Sequence, residues 1–556
     1  MKKVVAFLIA IALCALAHPP LFVVSSQNTS SLQTTKLRRL SKAIAGQYIV
    51  VFRNDLSSST LSSVANELTQ KHGGQIKYVY EHVLKGFALQ ASEAEAIALS
   101  RDARVKYVEE AGEVVVTGVQ QPITTDSSTF WGLDRIDQVD LALDSAYHYN
   151  RVGSGVHVYV IDTGVRLTQQ EFGTRATAVF DFSRSSSDPN FGFDSFNHGT
   201  FVAGVIGGKT FGVAKNALLH SVRVLAGGSN GSTTDLINGI NFVAANHIKP
   251  AVANISLAVT GSCGTTSVDT AVQNLINSGV TVVVGAGDQN VDASCTSPAH
   301  LAAALTVGST TSTDSRSPNT NFGSVIDLFA PGAGNGQFIP TASNASDQGL
   351  DGFSASSAAA PHVAGVAALY LEQFSLNSPN DPATSPANVS AAIINNATVN
   401  RLSSIGSGSP NRLLYSGFVA APATNPINET RFFVRQQYYD FMRRQPDQSG
   451  WDFHTNNINS CGADTACITV WRAATVRGFM ESPEFRNAHT ILRDNAVGSQ
   501  AYNEEFIRQL YRCALQREAD PGGFAFHMDF INTYPGSYTT LIGHFIESPE
   551  YLQRFQ

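Results

Sequence analysis

Between Val156 and Val307 the chain alternates short runs of Val, Ile and Leu with stretches of helical spacing. Val156–Ile161, Ala217–Val224, Ala251–Leu257, Val280–Val284 and Leu305–Val307 read as strands, with helices at Thr234–Ala245 and Val268–Ser278. Strands without a polar face must be covered on both sides, as in a parallel sheet with helices above and below. Ligands of such sheets bind beyond the carboxyl ends of the strands. Further on, Ser354-Ala355-Ser356-Ser357 leads through small residues and Pro361 into the apolar run Val363–Leu371. That run predicts a buried helix with Pro361 in its first turn. The serines then lie just ahead of it, near the positive end of the helix dipole.

The flanks are patterned differently. Residues 46–117 read as a small α+β unit, with strands at Tyr48–Phe52, Gly86–Leu89 and Val105–Glu109 and helices at Leu56–His72 and Ala91–Arg101. Residues 18–45 are polar, Ser/Thr-rich and aperiodic, which predicts a flexible leader. Residues 117–129 turn polar again and suit an accessible, cleavable linker. The strand–helix domain therefore spans 118–418, and the Ala/Pro-rich residues 419–430 form a second linker. Residues 431–556 contain an internal repeat. Val434–Tyr438, Arg444, Asp447, Gly450, Phe453 and His454 recur as Ile507–Tyr511, Arg517, Asp520, Gly523, Phe526 and His527. Glu481–Phe485 recurs as Glu547–Tyr551. The repeats read as amphipathic helices joined by Asp-x-x-Gly turns. Those turns lack the carboxylate density of a calcium loop, so they read as helix termination and capping, and the paired histidines read as packing residues.

The N-terminus carries an address. Lys2 and Lys3 precede an apolar run, Val4–Leu16, that is too short to span a bilayer stably. Ala15-Leu16-Ala17 has the small-x-small form of a cleavage site. Residues 1–17 thus read as a secretory signal, an uncleaved anchor being the other reading. In an oxidising compartment Cys263 with Cys295, and Cys461 with Cys467, are candidate disulfides, and Cys513 is left over. No Cys/His spacing suggests zinc. Charged residues make up 15% and the net charge of −7 is spread without long runs, so neither nucleic acid nor an anionic membrane is an expected partner.

The chemistry lies at the edges of the predicted elements. Asp162 follows the strand ending at Ile161, His198 opens a loop-to-helix junction, and Ser357 precedes the helix around Pro361. A serine hydroxyl is a weak nucleophile and needs a base within hydrogen-bond reach. Neutral imidazole serves at neutral pH, and a buried carboxylate fixes its tautomer and stabilises the imidazolium that forms. Each residue alone reads as structural; the three together read as a nucleophilic triad.

Val160-Ile161-Asp162-Thr163-Gly164, His198-Gly199-Thr200 with Val202-Ala203-Gly204, and Ser357 with Pro361-His362-Val363-Ala364-Gly365 resemble the three signature blocks of the subtilisin-like serine peptidases. The likeness is nearest to the proteinase K-like branch, to which Phe211–Lys215 and Ser409–Tyr415 are also similar. The resemblance implies a subtilisin-like α/β fold and a catalytic triad of Asp162, His198 and Ser357. It also implies that residues 46–117 are an inhibitory pro-domain that acts as chaperone and is removed by self-cleavage. The Cys263–Cys295 pair fits a disulfide of that branch. Residues 431–556 resemble an uncharacterised repeat domain appended to secreted bacterial proteins, which implies attachment to a surface, polymer or partner.

Several positions depart from the family pattern. The oxyanion-hole Asn is Asp288, which as an ionised acceptor has the wrong sign but could donate if protonated. Asn197 replaces the Gly before the histidine, Phe201 the second histidine of that block, and Ala355-Ser356 the Gly-Thr before the nucleophile. The groove strand reads Ser256-Leu257-Ala258-Val259, and side chains at Ala258 and Val259 should narrow the pockets on the non-primed side. Asp327 matches a calcium position of the branch, or is a plain turn residue. The resulting expectation is a secreted serine endopeptidase made as a self-processed precursor. Its partners would be protein or peptide substrates and its own pro-domain, with no catalytic cofactor and a structural calcium at most. The other reading is a weakened or inactive scaffold of the same fold that binds peptides or surfaces.

Overall fold

The computed structural model describes residues 36–555 apart from 54–55, 117–119, 122–129, 142, 227, 229, 261–262, 334–336, 376–380, 420–425, 445 and 463. The signal segment 1–17, the leader up to residue 35, most of the polar stretch 117–129 and half of the linker 419–430 lie outside the described residues.

The strand His157–Asp162 is buried throughout, and its side chains alternate between two cores. Val158 and Val160 pack with Val202, Val205 and Val363 on one face. Tyr159 and Ile161 pack with Leu236, Ile240, Val268 and Val272 on the other. The period of two sends successive residues to opposite faces, so an unbroken apolar run demands cover on both. The helices His198–Gly207 and Ser356–Ser375 supply one cover, and Thr233–Asn246 and Ser267–Asn277 the other.

The sheet has nine strands, with His157–Asp162 paired between Ala251–Ile255 and Leu218–Arg223. Its pairings are parallel except for the short edge pair Thr398–Val399 with Arg412–Leu413. Four of the expected strands are observed with their ends moved by one to three residues, Leu305–Val307 running on to Thr310. Ala176–Asp181, Leu328–Pro331 and the short Thr398–Val399 were not anticipated. The predicted strand Ala251–Leu257 is in fact two: Ala251–Ile255 belongs to the sheet, and Leu257–Thr260 leaves it to pair elsewhere. The break falls at Ser256, whose carbonyl and hydroxyl are both engaged by Ser357.

The N-terminal unit is an antiparallel sheet of Gln75–Tyr80, Gly86–Gln90, Ala43–Phe52 and Val105–Val116. Tyr48, Val50 and Phe52 face the helices Leu61–His72 and Glu93–Ser100 and close its own core. Ile49 and Val51, one residue out of phase, join the core of the strand–helix domain. Polar anchors surround that seam. Lys77 Nζ and the Tyr78 hydroxyl donate to Asp235 at 2.8 and 2.9 Å. The Ser267 N–H donates to Glu109 at 2.9 Å. The leader corrects the sequence reading, since order begins before residue 46. Leu37–Arg38 runs parallel to Val108–Glu109, and the strand expected from Tyr48 starts at Ala43. Edge pairing with an existing strand supplies the backbone partners that a polar segment cannot find alone.

A series of helices runs from Thr430 to Gln553 among the described residues, and the repeat has a structural meaning. Asp447 and Asp520 each cap a helix, accepting from the Gly450 and Gly523 N–H at 2.8 and 2.7 Å. Arg444 pairs with Glu484, and Arg517 with Glu550. His454 packs on Phe479 and His527 on Phe545, with ring centroids 4.9 and 4.5 Å apart. The helices touch the sheet at the amino end of His157–Asp162, where the Tyr439 hydroxyl lies 3.0 Å from His157 Nε2. Both expected disulfides, Cys263–Cys295 and Cys461–Cys467, are formed, and Cys513 is a buried free thiol. Among the described residues no helix is long and apolar enough to cross a membrane.

Because Asp447 and Asp520 act as caps, Asp520→Ala should lower the stability of the helical region. Denaturant unfolding of the full chain should show this with no calcium dependence. A calcium-dependent midpoint that Asp520→Ala abolishes would make the turn a metal loop instead.

Candidate active site

Asp162 ends the central strand and is fully buried. Its Oδ1 accepts from the Thr163 N–H and from His198 Nδ1, both at 2.7 Å. His198 is the first residue of its helix, and Gly199 behind it permits the approach: a Cβ there would lie 2.1 Å from the Gly164 carbonyl and 3.2 Å from Asp162 Cβ. With Nδ1–H bound to the carboxylate, Nε2 is the basic nitrogen. The ring is held edge-on by Phe353 at 5.1 Å, and Phe353 in turn rests on Phe201 at 5.2 Å.

Ser357 lies in the first turn of a helix that starts at Ser356, earlier than Val363–Leu371 implied. Pro361 is therefore inside the helix and not in its first turn. Proline has no N–H to give the carbonyl four residues back, which is that of Ser357. Ser256 Oγ donates to that carbonyl at 3.4 Å, and Ser357 Oγ donates to the Ser256 carbonyl at 3.3 Å. The proline thus costs no unpaired carbonyl and ties the serine to the groove strand.

That strand already carries a peptide. Glu113–Val116, the end of the N-terminal unit's last strand, lies between two antiparallel partners. Val116 and Val115 pair with Leu257 and Ala258, and Val115, Val114 and Glu113 pair with Asn230, Gly231 and Ser232. Val114 is buried in one cluster with Leu225, Leu257 and Val259. Ala258 thus has Val115 as its antiparallel partner, and Val259 shares a core cluster with Val114. The strand Asn230–Ser232 escaped the sequence reading, because Asn-Gly-Ser has the composition of a turn.

Comparison with known proteins fits this arrangement. The subtilase family model matches residues 153–417, and the peptidase inhibitor I9 model matches residues 47–115. An extracellular serine proteinase of Thermus sp. (strain Rt41A) is 42% identical over 395 residues, covering 68% of this chain and 91% of that protein. The alkaline serine exoprotease A of Vibrio alginolyticus is 41% identical over 382 residues, covering 67% and 68%. The chain belongs to the subtilase family. It is a serine-type endopeptidase with an I9 inhibitor pro-domain. The structure of fervidolysin, a keratinolytic enzyme from Fervidobacterium pennivorans, has the same fold, with a TM-score of 0.51 at 16% identity over 70% of this chain and 64% of that one.

Against the subtilase pattern, two departures share one cause. Asn197 has φ +90° and Ala355 has φ +82°, a region glycine enters without penalty. Asn197 is partly compensated, since its Oδ1 accepts from the Asn344 N–H at 2.5 Å. Ala355 sits two residues before Ser357 and carries the strain directly. The third departure, Phe201, supports the ring stack on His198 described above.

Asp288 is partly buried beside the helix start. Its Oδ1 accepts from the Ser356 N–H at 2.9 Å and its Oδ2 from Ser356 Oγ at 2.7 Å. Burial pushes its carboxyl up to about 6, against the Ser356 hydrogen bonds and the nearby His198, which pull it down. Asp327 Oδ2 takes the Thr306 N–H at 2.8 Å, and the Arg412 guanidinium lies 3.5 Å from its carbonyl. Among the described residues no three His, Cys, Asp or Glu side chains gather as a metal set; a calcium ion at Asp327 would take its other ligands from backbone carbonyls and water.

If Ala355 is strained, Ala355→Gly should raise the unfolding free energy by about 1 kcal/mol. A lower melting temperature in that variant would show the backbone to be at ease.

Proposed function

We propose that this subtilase is a secreted, self-processed endopeptidase whose catalytic residues are Asp162, His198 and Ser357. The observation that carries the reading is the 2.7 Å contact between His198 and a fully buried Asp162, which leaves Nε2 as the base. Secretion is supported by the signal-like residues 1–17 and by the extracellular relative from Thermus.

Ser357 Oγ attacks the scissile carbonyl carbon while His198 Nε2 takes its proton. The tetrahedral oxyanion is met by the Ser357 N–H, in the first turn of its helix, and by a protonated Asp288. Collapse breaks the C–N bond, His198 returns the proton to the leaving amine, and Ser357 retains the acyl group. Water, deprotonated by His198, then releases the acid and restores Ser357. Before processing, Glu113–Val116 fills the groove as a substrate would, so the precursor is self-inhibited and its own pro-domain is its first partner. The helical repeats lie at the other end of the central strand from Asp162, which suits attachment to a surface or polymer rather than a part in hydrolysis.

The mass of the precursor over time tests the reading. Wild type should lose its signal and pro-domain, and Ser357→Ala only its signal. If both stop after signal removal, the chain is a scaffold. The role of Asp288 has its own sign. Its proton is present below about 6 and is lost as pH rises through that value. Removing the matching side-chain donor in subtilisin lowers turnover by about 10²–10³. Asp288→Asn, a donor at every pH, should therefore be at least about tenfold faster at pH 8, with its optimum moved upward. An unchanged or lowered optimum would remove Asp288 from the oxyanion site.

A further inference from the structure

Asp288 is not held by a neighbour of its own loop. It follows the strand Thr281–Gly285, whereas both of its hydrogen bonds come from Ser356, the first residue of the nucleophile's helix. Ser356 is fully buried, and its Oγ also accepts from the Gly287 N–H at 3.2 Å. One residue thus grips both carboxyl oxygens, and its hydroxyl is itself fixed by the backbone beside that carboxyl.

We propose that Ser356 is a positioning residue of the peptidase reaction, which sets the orientation and the proton affinity of Asp288 next to Ser357. This rests on the reading of Asp288 as a donor to the oxyanion.

Ser356 acts on Asp288 through geometry and through charge. A carboxyl group is a useful donor only if its proton points one way, and free rotation about its last torsion would spread the proton over two oxygens and several directions. With the N–H on Oδ1 and the hydroxyl on Oδ2, the carboxyl plane is set by the helix that also sets Ser357. Geometry of this kind lowers a barrier because no reorganisation is left to the moment of reaction. The second effect is electrostatic. Both Ser356 bonds are donated to oxygen and favour the ionised carboxylate, while burial favours the neutral acid. The charged group that faces Asp288 is His198, whose imidazolium also favours the carboxylate. Losing the hydroxyl of Ser356 therefore tips the balance toward the neutral acid, the form that donates. A residue with a merely structural role would have no such effect on titration.

The test is the pH profile of kcat/KM for the processed enzyme with Ser356→Ala, Ser356→Thr, Asp288→Asn and the double variant Ser356→Ala with Asp288→Asn. The alkaline limb, where Asp288 loses its proton, should move up by about one pH unit in Ser356→Ala. It should stay in place in Ser356→Thr, which keeps a hydroxyl. In the Asp288→Asn background, Ser356→Ala should shift nothing. A loss of activity in Ser356→Ala that leaves the alkaline limb in place, or the same shift with and without Asp288, overturns the inference. If Asp288→Asn moves the limb and Ser356→Ala does not, the inference falls alone. If Asp288→Asn leaves the limb unmoved, the donor reading falls and takes the inference with it. Should Ser356→Ala fail to fold, a titration shift in Ser356→Cys, whose thiol is a weak donor, supports the inference, and an unmoved limb in that variant overturns it.

Discussion

A six-residue strand with no polar face constrains the whole molecule. His157–Asp162 must be covered twice, and the two covers bring in the elements that carry the chemistry. One cover contains both the helix opened by His198 and the helix that carries Ser357. The strand itself delivers Asp162 at its carboxyl end, where open parallel sheets place their ligands. Burial there removes competing water, so the carboxylate's attraction for the imidazole N–H is not spent on solvent. The 2.7 Å contact is thus a product of core packing as much as of local sequence.

The same logic explains the pro-domain. Its sheet has two apolar faces and only two helices, which cover one of them. The second face is buried against the peptidase domain. Its last strand continues between Asn230–Ser232 and Leu257–Thr260, and in the proposed reading that position is the one a substrate would take, so the docked pro-domain would block it.

Much of this was legible in the chain. Period-two apolar runs located the central strands, and the blocks around Asp162, His198 and Ser357 marked the site because each lies at a loop–element edge. What stayed hidden depends on distant partners. Asn230–Ser232 is a strand only because the tail Glu113–Val116 adds to it. Residues 36–45 are ordered only because Val105–Val116 offers them an edge. Ser256 breaks the run from Ala251 to Val259 because Ser357 claims its carbonyl and hydroxyl. The substitutions at Asn197 and Ala355 could be seen as departures, but their meaning lies in a positive φ that composition does not display. Ser356 and Asp288 were both visible as altered positions, yet their mutual bonds join residues far apart in the chain.

In the proposed reaction Asp162 and His198 make Ser357 a nucleophile. Its most direct test is covalent labelling of the processed enzyme with a fluorophosphonate, read by peptide mass mapping. One adduct is expected, on Ser357, forming rapidly in wild type and at least about a hundredfold more slowly in His198→Ala. Labelling of Ser357 at equal rates in both proteins, or an adduct on another serine, would contradict it.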